Sequence, residues 1–215
     1  MPEYTVIWMI VAAFLVAGVL SYFFTPYVKK FAHKIGAIDV PKDTRRMHKE
    51  PIPRLGGLGI FMAFLCSILL FGKLDTPMLC VLLGALLIVV LGIFDDVMAL
   101  GAKLKFVVQI IAAAIPVCIG GLRIDMFTNL NPFSDDMYFH LGIFAIPVTI
   151  IWIVGITNAV NLIDGLDGLA VGVSSIAAIT MLAVALLTGE MGIAITMGAL
   201  AGACIGFMPY NLNPA

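Results

Sequence analysis

Long uncharged apolar runs alternate along this chain with short polar segments, and the runs set the architecture. Seven of them, over residues 6–24, 57–71, 78–94, 106–122, 141–156, 169–187 and 191–208, contain no Lys, Arg, Asp or Glu. A helix needs about 17–25 apolar residues to cross a bilayer, where the backbone must satisfy its own hydrogen bonds. The seven runs therefore predict spanning helices, the shorter ones completed by interfacial neighbours. Residues 121–140 break the pattern: they are polar, with turn signals at Asn129, Asn131-Pro132 and Ser134-Asp135, and alternating residues from Leu122 to Phe127 lead in. A short β-hairpin is expected there. The predicted fold is an all-α polytopic membrane helix bundle, one domain over residues 1–215, with an extracytoplasmic hairpin.

Composition agrees: 62% of the 215 residues are hydrophobic and 12% charged, with a mean hydropathy of +1.12. Those values exclude an ordinary soluble domain. The net charge of -1 averages two unlike faces. Eight of the twelve basic residues lie between Lys29 and Arg54, and short cytoplasmic loops carry the positive excess. Placing that loop inside also puts Lys103 and Lys105 inside and sends the N-terminus outside. Lys73 and Arg123 are then the outer cations, beside Glu3, Asp75, Asp125, Asp135, Asp136 and Glu190. No basic residue precedes the first run, so it is expected to stay as a span and not be cleaved as a signal. Cys66, Cys80, Cys118 and Cys204 fall in apolar runs without metal-ligand spacing and read as packing residues. Gly198, Gly202 and Gly206 recur every fourth residue and let another helix approach closely, within one bundle or between two copies of the chain.

With sides assigned, the chemistry-bearing residues all face the cytoplasm, in three clusters. The first runs from Asp43 through Arg45, Arg46, His48 and Lys49 to Pro51-Ile-Pro53-Arg54, and ends in Gly56-Gly57. Guanidinium groups match phosphate oxygens, and glycines let backbone N–H groups reach an anion. Headgroup contact explains the charge but not the frame of prolines and glycines. The second is Asp95-Asp96 at the end of the third run, with Lys103 and Lys105 opening the fourth. Both placements oppose the helix dipole, and adjacent carboxylates share a proton or a cation between them. The third is Asn158, Asn161, Asp164 and Asp167 at three-residue intervals, with Gly165 and Gly168 allowing a non-helical path. Helix capping accounts for one such residue, not four. Hard Asp and Asn oxygens suit Mg²⁺, which binds through one or two protein groups plus substrate phosphates.

These three ordered motifs, Arg46-x-His48-Lys49-x-Pro51-Ile-Pro53-Arg54-x-Gly56-Gly57, Gly92-Ile-Phe-Asp95-Asp96 and Asn158-Ala-Val-Asn161-Leu-Ile-Asp164-Gly-Leu-Asp167-Gly168, resemble those of the polyprenyl-phosphate N-acetylhexosamine-1-phosphate transferases. The resemblance implies a bacterial cytoplasmic-membrane enzyme of ten or eleven spans. It would move a sugar 1-phosphate from a UDP-sugar to a polyprenyl phosphate in the inner leaflet, releasing UMP and requiring Mg²⁺, with Mn²⁺ as the alternative ion. The Pro51-Ile-Pro53-Arg54 loop resembles the branch that uses UDP-N-acetylglucosamine and begins teichoic acid or O-antigen. The peptidoglycan branch, using UDP-N-acetylmuramoyl-pentapeptide, carries a Gly-Thr-Pro-Thr-Met type loop instead.

The expected roles follow from joining the resemblance to the chemistry. Two anions must meet, so cations must offset their repulsion. Arg45, Arg46, His48 and Arg54 are candidates for the diphosphate or lipid phosphate, with Lys105 and Asn158 as further substrate contacts. Lys49 and Asp167, with the Gly165-Leu166 backbone, are candidates for uridine. Asn161 and Asp164 are candidate Mg²⁺ ligands, and Asp95 or Asp96 the group that takes the lipid phosphate proton. Members of the family continue past the position of Ala215 into a Met-Gly-Asp motif, more spans and a His-rich loop, so these 215 residues alone are expected to be inactive. No nucleic-acid partner is expected. A lipid-phosphate transporter or flippase is the competing class, but such proteins carry ionisable groups near mid-bilayer and the predicted spans have none. A non-catalytic scaffold would explain the glycine stripe and leave the three motifs without purpose.

Overall fold

The computed structural model describes residues 3–39, 52–129 and 136–212. They form seven α-helices in the predicted order: α1 (Glu3–Ile35), α2 (Gly56–Phe71), α3 (Thr76–Met98), α4 (Ala102–Ala114), α5 (Ala145–Ile163), α6 (Leu169–Thr188) and α7 (Met191–Asn211). Six helical stretches are long and apolar enough to cross a membrane, and α2, at 16 residues, is a shorter apolar helix. This is a multi-pass membrane protein of helices, as the apolar runs predict.

Helix ends reach further into polar sequence than hydropathy alone predicts. α1 continues through Lys29 and Lys30 to Ile35, because long cationic side chains keep their heads in a polar layer while their stems lie on the helix. α5 continues through its polar end because side chains bond back to the helix: Thr157 Oγ1 donates to the Ile153 carbonyl at 2.8 Å and Asn158 Nδ2 to that of Val154 at 2.8 Å. α3 includes Asp95 and Asp96 in its last turns. It stops where Ala99 takes a left-handed φ of 48°, and there the Asp95 carboxylate accepts the Leu100 N–H at 3.0 Å.

Two small antiparallel ladders accompany the helices. β3 (Met126–Thr128) pairs with β4 (Tyr138–His140), Phe127 opposite Phe139, which is the expected hairpin; its turn residues 130–135 lie outside the described residues. The second ladder is not apparent in the sequence. β1 (Ile38–Asp39) pairs with β2 (Ile52–Pro53), and the Arg54 N–H donates to the Ala37 carbonyl at 3.1 Å. The chain therefore enters and leaves the basic segment at adjacent points.

The chain divides into two compact units, one of residues 1–74, 89–100 and 161–215, the other of residues 75–88 and 101–160. In the first, α7 lies against α1, α2 and α6. The glycine stripe finds its partner within the chain: a Cβ at Gly202 would collide with the Phe14 backbone and one at Gly206 with Gly18. Small residues on both sides, including Ala13 and Ala17 with no exposure, let these backbones touch, and Ser67 Oγ ties α2 to the Ala13 carbonyl at 2.9 Å. In the second unit, Pro116 turns the end of α4 into a π-helical stretch, Ile115–Ile119. Proline has no N–H for the carbonyl one turn back, and that Ala112 oxygen abuts Gly84 of α3, 2.7 Å from where a Cβ would stand.

Candidate functional site

Three packing contacts gather the polar motifs at one end of the first unit. Val28, Ala32, Ala37 and Leu55 form a buried cluster on which Ile93 also packs, so the end of α1, the start of α2 and the last turns of α3 meet. That fixes Arg54, just before Leu55, and Asp95 and Asp96, just after Ile93, around one apolar knot. Phe207 of α7 lies beneath Gly56, where a Cβ would stand 2.5 Å from its ring. One turn on, Asn211 Oδ1 accepts the Gly168 N–H at 3.2 Å, joining the end of α7 to the turn between α5 and α6.

That turn carries the carboxylates. Three-residue spacing left open whether Asn158, Asn161, Asp164 and Asp167 share a helix; the structure ends α5 at Ile163, so two stand on the helix and two on residues 164–168. Gly168, with φ 74° and ψ -10°, is the residue from which α6 starts. A side chain there would be strained, and its Cβ would lie 2.9 Å from Leu212 Cδ2. Beyond it the Leu169 N–H donates to the Leu166 carbonyl at 3.1 Å and the Gly172 N–H to that of Gly168 at 2.9 Å. Asn161, Asp164, Gly165, Leu166 and Asp167 are all exposed. Asp164 nonetheless backs onto enough protein that desolvation raises its pKa above the usual carboxylate value.

Other candidates are placed differently. Asp95 uses one carboxylate oxygen on the α3–α4 turn, as described, and it and Asp96 are both half-buried. Lys105, on the first turn of α4, and Asn158 belong to the second unit. Asn158 faces Gln109 of α4 in a reciprocal amide pair, Nδ2 to Oε1 at 2.8 Å and Nε2 to Oδ1 at 3.5 Å. Gln109 was not among the candidates, although a lone amide inside an apolar run is a readable signal. Asn211 was also missed. Arg45, Arg46, His48 and Lys49 lie outside the described residues.

Among the described residues no three His, Cys, Asp or Glu side chains cluster as a ready metal cage. The donors on the carboxylate turn and the helix before it are oxygens of Asn161, Asp164 and Asp167. Few hard, exposed oxygens fit a Mg²⁺ ion that keeps waters and takes its remaining ligands from phosphates.

The glycosyl transferase family 4 model matches residues 78–215, which include Asp95, Asp96 and the whole carboxylate turn. The chain belongs to this family. A Bacillus subtilis (strain 168) relative, a probable undecaprenyl-phosphate N-acetylglucosaminyl 1-phosphate transferase, is 44% identical over 207 residues, covering 96% of this chain and 56% of that protein. The decaprenyl-phosphate N-acetylglucosaminephosphotransferase of Mycobacterium tuberculosis (strain ATCC 25618 / H37Rv) is 34% identical over 94% of this chain and 53% of its own. A phospho-N-acetylmuramoyl-pentapeptide-transferase of Chlorobium chlorochromatii is 33% identical over 82% of this chain and 55% of its own. The chain spans about half the length of these curated relatives. Membership of the family agrees with the resemblance drawn from the three motifs.

Proposed function

We propose that the protein transfers N-acetylglucosamine-1-phosphate from UDP-N-acetylglucosamine to undecaprenyl or another polyprenyl phosphate, giving the lipid-linked diphosphate sugar and UMP. The observation that carries this reading is the assembly of Arg54, the Asp95-Asp96 pair and the carboxylate turn around one end of the first unit. The relatives that act on polyprenyl phosphate and N-acetylglucosamine support the choice of substrates. The excess of basic residues in the sequence from Lys29 to Arg54 supports placing this end at the cytoplasmic face of a bacterial inner membrane, with the N-terminus outside.

The chemistry follows from charge. A lipid phosphate oxygen attacks the β-phosphorus of the UDP-sugar, one P–O bond forms, the bond to the α-phosphate bridging oxygen breaks, and UMP leaves. Both reactants are anions, so fixed cations such as Arg54 lower the cost of bringing them together. The Asp95-Asp96 pair takes the lipid phosphate proton, leaving the more nucleophilic dianion. Asp167 and the exposed Gly165-Leu166 backbone hold the uridine; no side chain at Gly165 blocks a flat base. Asn161 and Asp164 would hold Mg²⁺, or Mn²⁺ in its place, and the ion when bound supplies charge neutralisation of the diphosphate. Asn158, committed to Gln109, ties α5 to α4 within the second unit.

The test is transfer of radiolabel from UDP-N-acetylglucosamine into undecaprenyl phosphate by membranes containing the whole protein. Label in lipid that disappears in Asp96→Asn, with UDP-sugar binding retained, supports the reading. Label only from UDP-N-acetylmuramoyl-pentapeptide would move the chain to the peptidoglycan branch, and no label from either would end the transferase reading.

A further inference from the structure

We infer that Asn211 is a positioning residue: from the end of α7 it holds the Gly168 N–H and thereby sets where Asp164 and Asp167 stand. The consequence for catalysis rests on the transferase reading above; the latch itself rests on geometry.

The turn of residues 164–168 has little to order it from within. Gly165 and Gly168 widen its backbone freedom, and the bonds from Leu169 and Gly172 lie at its downstream end. The tie that reaches a distant element is the 3.2 Å bond from Gly168 to Asn211, 43 residues away. Two features of Gly168 serve that bond. Its left-handed φ of 74° lets the chain reverse into α6. Its missing side chain lets α7 come close, since Leu212 Cδ2 would stand 2.9 Å from a Cβ. α7 is itself held by backbone-to-backbone contact with α1 at Gly202 and Gly206. A rigid path therefore runs from the α1–α7 pair through the Asn211 amide to Gly168, one residue from the Asp167 carboxylate.

The residue type fits the task. The position needs an acceptor for one backbone N–H beside two carboxylates. An amide oxygen supplies it without a third negative charge, and a hydrophobic residue of the same size supplies nothing. Asn211 needs no contact with substrate to do this.

The test compares Asn211→Leu and Asn211→Ala, which remove the acceptor, with Asn211→Asp, which keeps an acceptor oxygen, in the whole protein in nanodiscs. Backbone hydrogen exchange over residues 164–172 reads the latch directly, and transfer from UDP-N-acetylglucosamine reads its consequence. One hydrogen bond lost should speed exchange about fivefold, and misplaced carboxylates should lower transfer about tenfold. Asn211→Asp should restore protection, while its added charge beside Asp164 and Asp167 leaves transfer below wild type and above that of the acceptor-free variants. Wild-type exchange in both acceptor-free variants would overturn the proposal, and so would faster exchange with unaltered transfer. If the unmodified protein transfers nothing, the transferase reading falls, and unchanged exchange in the variants would still sink the latch.

Discussion

Replacing Gly202 by Ala puts a methyl group where the backbone of α1 already runs. Its Cβ would fall on the Phe14 carbonyl, 2.8 Å from the carbonyl carbon and 3.0 Å from Cα. Carbon atoms rest comfortably at about 3.5–4.0 Å, so α1 and α7 must part by about 1 Å over that turn. No side chain can rotate away, because the obstruction is main chain. Overpacking of this kind costs about 1–3 kcal/mol, and the backbone obstruction places it at about 3. Ala also gains about 1 kcal/mol over Gly in helix propensity, leaving a net loss of about 2 kcal/mol. For a chain of this size that is a fall of about 4–8 °C in the unfolding midpoint. Gly172→Ala on α6 is the control, since no heavy atom lies within 4 Å of its added Cβ. The assay is the folded fraction by size exclusion after heating in detergent. Equal midpoints for the two variants would refute the argument that α1 and α7 touch through their backbones.

Three further outcomes are expected. Gln109→Leu and Asn158→Leu each leave a bereaved amide and lower stability by about 1 kcal/mol, whereas the double variant loses less than the sum; strict additivity in chemical denaturation would contradict the pairing. Gly168→Ala destabilises by about 2 kcal/mol through its left-handed backbone and the Leu212 contact, while Gly165→Ala, with the Leu162 carbonyl 3.9 Å from its Cβ, keeps the wild-type midpoint and, on the proposed function, raises KM for the UDP-sugar. In metal-free buffer, Asp164→Asn raises the midpoint at pH 7. Burial raises the Asp164 pKa, so the native state holds its proton more tightly than the unfolded chain, and stability falls as pH climbs from the ordinary carboxylate range through the raised value. The advantage of the variant should shrink toward pH 4, and a constant difference across that range would dismiss the desolvation argument.

Seven apolar runs made the helices legible because lipid tolerates nothing else, and the hairpin was legible because its polar turn signals interrupt that pattern. Helix ends were less so. Polar or charged residues set the expected helix ends at Phe24, Phe94 and Ile156, yet α1 runs on through Lys29, Asp95 serves its own turn, and Thr157 and Asn158 bond back to the helix. The carboxylate motif is visible in the sequence as residues but not as geometry: α5 ends at Ile163 and α6 starts after Gly168, whose N–H bonds to Asn211 of α7, so Asp164 and Asp167 stand between the helices. Asn211 and the β1–β2 ladder were hidden for the same reason, since each acts through a partner far along the chain. Gln109 was the exception, a local signal passed over.

The 16 residues of α2 measure about 24 Å at 1.5 Å each, while a bilayer core is about 30 Å thick. Lipids beside this helix must thin, or its polar ends must sit below the usual headgroup plane. Either way, Arg54 at one end and Lys73 near the other draw water and phosphate inward. The proposed transfer, from a water-borne nucleotide sugar to a membrane-held phosphate, needs the two at a common depth, and a helix too short for its membrane supplies such a dimple in the surface.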